Sequence, residues 1–213
     1  MRCGIEEAGR GPVIGPLVMV GVMGDLEDEK TLKALGVKDS KLLSPKRREE
    51  LYPKILEIIK KYKVIILSPH DIDEALASDS MNLNFLEGKT SADIINELKP
   101  EIAILDCPST NLPAYHDYVK ARLTHDAKII AEHKADLNYT IVSAASIIAK
   151  VLRDRAIKEI ETTHKIVVGS GYPSDKKTQV FLKENYKKYD FFRKSWSSYK
   201  RLSQPTLAQF TCK

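Results

Sequence analysis

The sequence predicts an α/β protein, because short strand-like segments alternate with helical segments along the chain. Short apolar runs bounded by glycine, proline or acidic residues predict the strands, and apolar residues at helical spacing predict the helices. This alternation favours a mainly parallel sheet covered by helices. The first two strands are joined by a short, glycine-rich connection, which indicates an antiparallel pair at the start of the sheet. We therefore expect a mixed sheet flanked by helices.

The N-terminal half contains clear signals for individual elements. Strands are predicted at residues 3–6, 17–23 and 64–68. Ser44-Pro45 predicts a helix start, with serine as N-cap and proline at the first helical position, and apolar residues at helical spacing continue as far as Tyr62. Pro53 lies inside that pattern and predicts a kink or an interruption of the helix. Ser68-Pro69 predicts the start of a further short helix.

The C-terminal half continues the alternation of strands and helices. Strands are predicted at residues 102–106 and 128–132, and helices at residues 81–98, 139–162 and 175–186. Gly88 predicts a weak point in the first of these helices. Small residues from Ser143 to Ser146 allow the second helix to pack closely on the sheet. We expect a main domain at residues 1–165 and a small helical C-terminal module at residues 166–213.

Composition limits the class of protein. The chain has 213 residues, of which 43% are hydrophobic and 30% are charged, as in ordinary globular proteins and unlike disordered ones. No apolar run is long enough to span a bilayer. Three cysteines, far apart and in no metal-ligand spacing, suit a reducing compartment and argue against a zinc site. We therefore expect a cytoplasmic, monomeric protein that does not bind membranes.

The net charge of the chain is concentrated near the C-terminus. Residues 183–201 contain seven basic and two acidic residues, an excess of five that equals the net charge of the whole chain, +5. Aromatic residues are interleaved with these charges: Tyr186, Tyr189, Phe191, Phe192, Trp196 and Tyr199. Cations that bind phosphates, together with aromatic rings that stack on sugars or bases, suit a nucleic-acid partner. The alternative is a basic segment whose aromatic side chains dock on the core.

Four carboxylates lie at the ends of predicted elements. Glu6 and Glu7 close the first strand, Asp106 closes an apolar strand, and Asp136 precedes the long helix. Ligands of α/β sheets bind at the carboxyl ends of the strands, and carboxylates gathered there need a cation between them. Oxygen ligands suit Mg²⁺ or Mn²⁺, and two such ions can hydrolyse a phosphodiester. The alternative for each acid is a helix cap or an ion pair with a lysine.

Several sequence blocks together resemble the ribonuclease HII family. In the family's order, they are GIEEAGRG (residues 4–11), DSKLLS (39–44), ILD (104–106), HKAD (133–136), AASIIAK (144–150) and GSGY (169–172). The blocks extend over most of the chain and are highly specific in combination. The form of the HKAD block and the short C-terminus are similar to the archaeal branch.

The resemblance implies a ribonuclease H-like fold and a particular reaction. It implies hydrolysis of the RNA strand in RNA–DNA hybrids and incision on the 5′ side of single ribonucleotides in duplex DNA, leaving a 3′-hydroxyl and a 5′-phosphate. The residues implied as ligands of two Mg²⁺ or Mn²⁺ ions are Glu6, Glu7, Asp106 and Asp136. Those implied in substrate binding are Gly9, Arg10 and Gly11 at the ribose 2′-hydroxyl, Tyr172 on the deoxyribose at the RNA–DNA junction, and Lys41, Lys134 and Lys150 at phosphates or the acidic cluster.

Glu6 departs from the family's pattern, which has aspartate at this position. The glutamate side chain is one methylene longer, so its carboxylate cannot occupy the same place without a change of backbone or rotamer. This leaves a catalytically weakened or inactive hybrid-binding protein as the alternative function. A different nuclease of the same fold class, such as a junction resolvase, is a further alternative, against which the Gly-Arg-Gly and Gly-Tyr motifs argue.

The C-terminal tail resembles a sliding-clamp-binding peptide. Gln204 is followed three residues later by Leu207, and Phe210 follows three residues after that. In a 3₁₀ turn, residues three apart lie on the same side, so Leu207 and Phe210 would enter one apolar pocket. The usual second aromatic residue is absent, since Thr211 occupies that position, so we expect weak binding. A disordered tail or one docked on the core is the alternative.

Overall fold

The computed structural model describes residues 1–38 and 40–204, which form a five-stranded sheet with helices on both faces. Asp39, Leu207 and Phe210 lie outside the described residues. The strands are β1 (Arg2–Ala8), β2 (Leu17–Gly24), β3 (Lys61–Leu67), β4 (Ile102–Asp106) and β5 (Lys128–Glu132). The helices are α1 (Leu26–Ala34), α2 (Pro45–Ile58), α3 (Pro69–Ala75), α4 (Leu83–Leu98), α5 (Leu112–Lys120), α6 (Ala135–Asn138), α7 (Thr140–His164), α8 (Lys176–Asn185) and α9 (Ser197–Ser203), with a 3₁₀ turn at Ser40–Leu42.

The sheet is mixed, with strand order β3-β2-β1-β4-β5. Strands β1, β4 and β5 pair in parallel, whereas β1–β2 and β2–β3 are antiparallel. The antiparallel pair at the start of the sheet is confirmed, and the sheet is mixed as expected: β2 runs opposite to the other four strands, which share one direction. Two helices in succession, α1 and α2, separate β2 from β3. The chain can therefore re-enter the sheet in the opposite direction, which a single crossover helix would not allow.

Two apolar layers cover the sheet. Helix α7 packs on one face, where Val20, Ile104 and Ile148 share a buried cluster, while α4 and α5 cover the other face around Ile5 and Leu105. The small residues at the start of α7 are buried, as predicted. At Gly4 an added Cβ would lie 2.6 Å from the backbone of Ile141, so the close approach of α7 to β1 requires glycine there.

Local signals predicted helix starts better than helix interiors. Ser44 and Ser68 cap α2 and α3 by accepting backbone hydrogen bonds, as predicted. Of the kink or interruption predicted at Pro53, the interruption is wrong, because α2 runs through this residue. Tyr62 belongs to β3 rather than to the preceding helix. Helix α4 is also continuous at Gly88. An added Cβ at Gly88 would lie 3.0 Å from the ring of Tyr118, so this glycine makes room for helix packing.

The C-terminal segment packs on the rest of the chain through a third apolar cluster. Phe181, Phe191 and Phe192 share this cluster with Ile14, which precedes β2, and with Ile157 of α7. Phe191, Phe192 and Tyr199 are buried, so the core-docking alternative is correct for these aromatic side chains. The division into two domains at residue 165 remains our proposal. Within residues 1–38 and 40–204, no helix combines the length and apolarity needed to cross a bilayer.

Candidate active site

Strands β1 and β4 bring Glu6 and Asp106 to adjacent positions. Their parallel pairing ends at Ile5 and Leu105, and Glu6 and Asp106 are the next residues of the two strands. Side chains alternate between the two faces of a sheet, so both acids point to the α7 face, as Ile104 does. The predicted strand end differs slightly. Strand β1 continues to Ala8 through its pairing with β2, so Glu6 and Glu7 lie inside the strand, beyond the point where β4 stops pairing.

Glu6 is a buried carboxylate, with 6% of the residue exposed. Its Oε1 accepts a hydrogen bond from Ser146 Oγ at 3.4 Å, and its Oε2 accepts one from the backbone N–H of Glu7. Ser146 Oγ also lies 2.9 Å from Ser40 Oγ, so one hydroxyl connects Glu6 with the 3₁₀ turn. Burial, followed by the negative charges of Glu7 and Asp106, raises the pKa of Glu6 well above its usual value.

Glu7 points to the opposite face of the sheet, where α4 supplies a further acid, Glu87. Burial raises the pKa of Glu7 to about 8, and the negative charges of Glu87 and Asp106 add to that effect. Burial likewise raises the pKa of Glu87 to about 7, although Arg10 opposes this rise. The two faces of β1 therefore present acids that disfavour one another's ionisation.

Asp136 lies in α6, directly after Ala135, whose backbone N–H donates to Asp106. Asp106 Oδ1 accepts a hydrogen bond from the backbone N–H of Ala135 at 3.2 Å, which holds the start of α6 at the end of β4. Asp136 itself is 3% exposed, and its backbone carbonyl accepts a hydrogen bond from Ser143 Oγ at 2.6 Å. The structure thus places Asp136 next in sequence to the backbone group bound by Asp106.

Arg10 is held by the first turns of α4. Its Nε lies 3.0 Å from Oε1 of Glu87 and donates to Oε2 at 3.1 Å, and its Nη2 donates to Asn84 Oδ1 at 2.7 Å. Asn84 and Glu87 are three residues apart, so they lie on one side of the helix. Only 1% of the Glu87 side chain is exposed. The ion pair fixes the direction in which Arg10 leaves its loop.

The loop at residues 9–15, termed here the 9–15 loop, is positioned by the C-terminal segment. Arg193 is completely buried and donates hydrogen bonds to the backbone carbonyls of Gly9, Arg10 and Gly15. Trp196 Nε1 donates to the carbonyl of Gly11 at 3.0 Å. Arg193 is one of the seven basic residues of the segment 183–201. Its guanidinium faces the 9–15 loop from inside the protein, so it is not available to bind phosphate.

Tyr172 lies against the exposed Gly11. A Cβ added at Gly11 would lie 3.3 Å from Tyr172 Cε1. The carbonyl of Gly171, which precedes Tyr172, accepts a hydrogen bond from Val13 N–H at 2.8 Å. Gly9 has φ +86°, and a Cβ there would lie 2.6 Å from the carbonyl oxygen of Pro16. Glycine is therefore required at position 9 by both conformation and space. The structure brings together the predicted Gly9, Arg10, Gly11 and Tyr172.

The three predicted lysines have different surroundings. Lys150 of α7 is half-buried, and burial lowers its pKa while the charges of Asp154 and Glu6 oppose that change. Lys41 in the 3₁₀ turn and Lys134 before α6 are exposed. Lys134 has a left-handed backbone, φ 57°, at the N-cap of α6. Lys150 thus lies within electrostatic reach of Glu6.

The donor chemistry of the site fits a hard divalent cation. Every candidate ligand is a carboxylate, and burial and mutual repulsion raise the pKa of Glu6 and Glu7, which a cation would relieve. As placed among the described residues, no three histidine, cysteine, aspartate or glutamate side chains form a group that could hold an ion.

The comparisons with known proteins decide the family. The family model described as Ribonuclease HII matches residues 3–199. The chain belongs to the ribonuclease HII family. A ribonuclease HII from Thermococcus sibiricus is 44% identical over 207 residues, covering 94% of this chain and 90% of that protein. Members of the ribonuclease HII family are metal-dependent endoribonucleases, so this chain is an enzyme of that class.

Solved structures support the same assignment. Ribonuclease H2 from Pyrococcus horikoshii has a TM-score of 0.85 and 39% identity, covering 94% of this chain and 96% of that one. Ribonuclease HII from Archaeoglobus fulgidus, solved in a complex with PCNA, has a TM-score of 0.85 and 41% identity, covering 99% of this chain and 100% of that one. These matches confirm the ribonuclease H-like fold predicted for this chain.

Two residues of this ribonuclease HII site were missed by sequence reasoning. Glu87 lies in a helix whose neighbouring residues are mostly buried, and Arg193 lies among aromatic side chains that form a core cluster. A charged residue within an apolar segment is itself a signal, because burying a charge is costly unless it has a partner. That signal could have identified both residues.

Proposed function

We propose that this enzyme hydrolyses the RNA strand of RNA–DNA hybrids and incises duplex DNA on the 5′ side of single ribonucleotides. The observation that carries the proposal is the position of Glu6 and Asp106 at adjacent strand positions, with Glu7 beside them and the 9–15 loop following directly in the chain. A cluster of acids beside a glycine-rich loop can combine phosphodiester hydrolysis with recognition of ribose.

The proposed ligands of two Mg²⁺ or Mn²⁺ ions are Glu6, Glu7, Asp106 and Asp136. When bound, the two ions would activate a water and neutralise charge on the leaving oxygen. In the reaction, the water oxygen bonds to phosphorus and the bond from phosphorus to the 3′ oxygen breaks. The products are a 3′-hydroxyl and a 5′-phosphate. The carboxylates would hold the ions that position the reacting phosphate, and Lys150 adds positive charge near Glu6.

Selection of ribose is proposed for Gly9, Arg10 and Gly11. The 2′-hydroxyl is the group that distinguishes RNA from DNA at one nucleotide, and glycines allow the backbone to approach it closely. Tyr172, which lies against Gly11, would stack on the deoxyribose next to the ribonucleotide. Lys41 and Lys134, both exposed, would bind backbone phosphates.

A sliding clamp is the proposed protein partner. The relative from Archaeoglobus fulgidus was solved in a complex with PCNA, which supports the clamp peptide that the tail of this chain resembles. Gln204, the first residue of that peptide, is exposed after α9. We propose that Gln204, Leu207 and Phe210 bind the clamp.

A cleavage assay with three duplexes of one sequence tests the proposed reaction. The duplexes are an RNA–DNA hybrid, a DNA duplex with one ribonucleotide, and an all-DNA duplex, each with Mg²⁺, Mn²⁺ or EDTA. We expect cleavage of the first two with either ion, products with 3′-hydroxyl ends, and no cleavage in EDTA. Binding of the hybrid without cleavage under any of these conditions would support the alternative, a hybrid-binding protein weakened by Glu6. Cleavage of the all-DNA duplex would contradict the proposal.

A further inference from the structure

We propose that Arg193 is a positioning residue for ribose recognition, holding the 9–15 loop in the conformation that reads the 2′-hydroxyl. The inference rests on the proposed function, since it assigns the reading of ribose to that loop. It adds a role for the C-terminal segment that is separate from the binding of phosphates.

The contacts of Arg193 are directed at one short stretch of backbone. Nε donates to the carbonyl of Gly15 at 2.9 Å, Nη1 to that of Arg10 at 2.9 Å, and Nη2 to that of Gly9 at 2.6 Å. All three guanidinium nitrogens are therefore used, and 178 to 184 residues of sequence separate Arg193 from its acceptors. A planar guanidinium spreads its donors over three nitrogens in a fixed fork, whereas the donors of lysine all sit on one nitrogen and cannot reproduce this arrangement.

The segment at residues 193–196 is held between the 9–15 loop and helix α3. Arg193 N–H donates to the carbonyl of Val13 at 2.9 Å, and Trp196 Nε1 donates to that of Gly11 at 3.0 Å. On its other side, Asp73 of α3 accepts hydrogen bonds from the backbone N–H groups of Lys194 and Ser195, at 2.7 and 2.8 Å. Helix α3 therefore holds the turn that carries Arg193, and Arg193 holds the loop.

Burial makes this arrangement sensitive to substitution. Arg193 has no exposed surface, and its pKa is lowered to about 9 by burial and by the nearby charge of Arg153. When the Arg193 side chain is replaced by a shorter one, the backbone carbonyls that accepted its hydrogen bonds are left without partners. Losing these hydrogen bonds would displace the backbone of Gly9 and Arg10, which carry the proposed contacts to ribose.

Kinetics with the full-length protein test this role. The measurements are kcat and KM for the duplex with one ribonucleotide, and the inhibition constant of an all-DNA duplex as competitor. For Arg193→Lys we expect a fall in kcat of about a hundredfold, since a displacement of about 1 Å can cost that much. We expect KM to rise by roughly tenfold, because the displaced 9–15 loop loses its hydrogen bonds to the ribonucleotide. The inhibition constant of the all-DNA duplex should stay unchanged, because it depends on phosphate contacts.

Two further variants distinguish positioning from general destabilisation. Leu202→Ala weakens the packing of α9 against the same apolar cluster, and it should lower the melting temperature while leaving kcat and KM unchanged. Asp73→Asn should act in the same direction as Arg193→Lys but less strongly, and it serves if Arg193→Lys does not fold. Equal effects of Leu202→Ala and Arg193→Lys on kcat and KM would overturn the proposal. A wild-type protein that does not cleave would instead refute the proposed function.

Discussion

The buried carboxylate of Glu87 in α4 forms an ion pair with Arg10 of the 9–15 loop, whose Nε lies 3.0 Å from Glu87 Oε1. After burial, the charge of this carboxylate is the next largest cause of the raised pKa of Glu7. One acid thus connects the metal-ligand candidates with the proposed ribose-recognition loop. Since Glu87 belongs to neither set, its substitution shows whether the two parts depend on each other.

We expect Glu87→Gln to impair cleavage mainly through substrate binding. Removing the charge releases Arg10, and hydrogen bonds to charged groups are commonly worth enough to raise KM by roughly tenfold. Steady-state kinetics on the duplex with one ribonucleotide measure the effect. Glu49→Gln is the matched control, because Glu49 pairs with Arg155 on the exposed surface, where ion pairs contribute little. The ion pair would have no role in recognition if both variants had wild-type KM.

The stability of the metal-free protein should depend on pH through Glu7 and Glu87. Folding raises their pKa values from the usual 4.5 to about 8 and about 7. A carboxyl whose pKa is raised by folding stabilises the native state while it is protonated, and this contribution is lost as pH rises through the folded-state value. We therefore expect the melting temperature in EDTA to fall between about pH 5 and about pH 9.

Two comparisons check the cause of that pH dependence. The Glu7→Gln and Glu87→Gln variants should each show a shallower decline, because glutamine does not ionise. Added divalent cation should restore stability more at the high end of the range, where the acids are charged. A melting temperature that rises over this range in EDTA would show that other groups dominate.

Glu6 is expected to limit the chemical step more than substrate binding. Its longer side chain is engaged by Ser146 and by the backbone of Glu7, whereas hybrid affinity depends on the 9–15 loop and on phosphate contacts. Glu6→Asp should raise turnover in Mg²⁺ with little change in hybrid affinity, and Mn²⁺ should rescue part of the deficit of the wild type. Turnover in Mg²⁺ that is unchanged or lower in Glu6→Asp would mean that the site has adapted to glutamate.

The tail should bind a sliding clamp weakly through residues 204–213. Gln204, Leu207 and Phe210 have the spacing of a clamp-binding peptide, but Thr211 replaces the second aromatic residue. Titration calorimetry of this peptide against an archaeal clamp should give a dissociation constant in the micromolar range. A peptide with Leu207→Ala and Phe210→Ala is the control and should give no heat. Absence of heat from the native peptide at high micromolar concentration would count against the clamp as partner.

Sequence reasoning predicted those parts of the molecule that local chemistry determines. Ser44 and Ser68 cap helices because their hydroxyls satisfy free backbone N–H groups, which depends on few neighbours. The ribonuclease HII motifs likewise predicted the family, and the strand ends predicted the grouping of Glu6 with Asp106. The helix caps and the strand ends depend on residues that are close in sequence, and the family assignment depends on motifs that keep a fixed order.

Long-range packing could not be predicted in this way. The direction of β3 depends on how α1 and α2 return the chain to the sheet, and the orientation of Arg193 depends on acceptors that precede it by 178 residues or more. A lysine- and arginine-rich segment indicates phosphate binding when it is read alone. The burial of Arg193 and its aromatic neighbours shows that this segment also forms core.

Metal-dependent cleavage by the Asp106→Asn and Asp136→Asn variants tests the central claim most directly. A neutral amide is a poor ligand for a hard cation, so we expect each variant to fold normally and to lose most cleavage of the duplex with one ribonucleotide in Mg²⁺ and in Mn²⁺. Asp126→Asn, which alters an exposed aspartate paired with Lys120, should cleave like the wild type. Undiminished cleavage by both Asp106→Asn and Asp136→Asn would contradict the assignment of these carboxylates to the catalytic site.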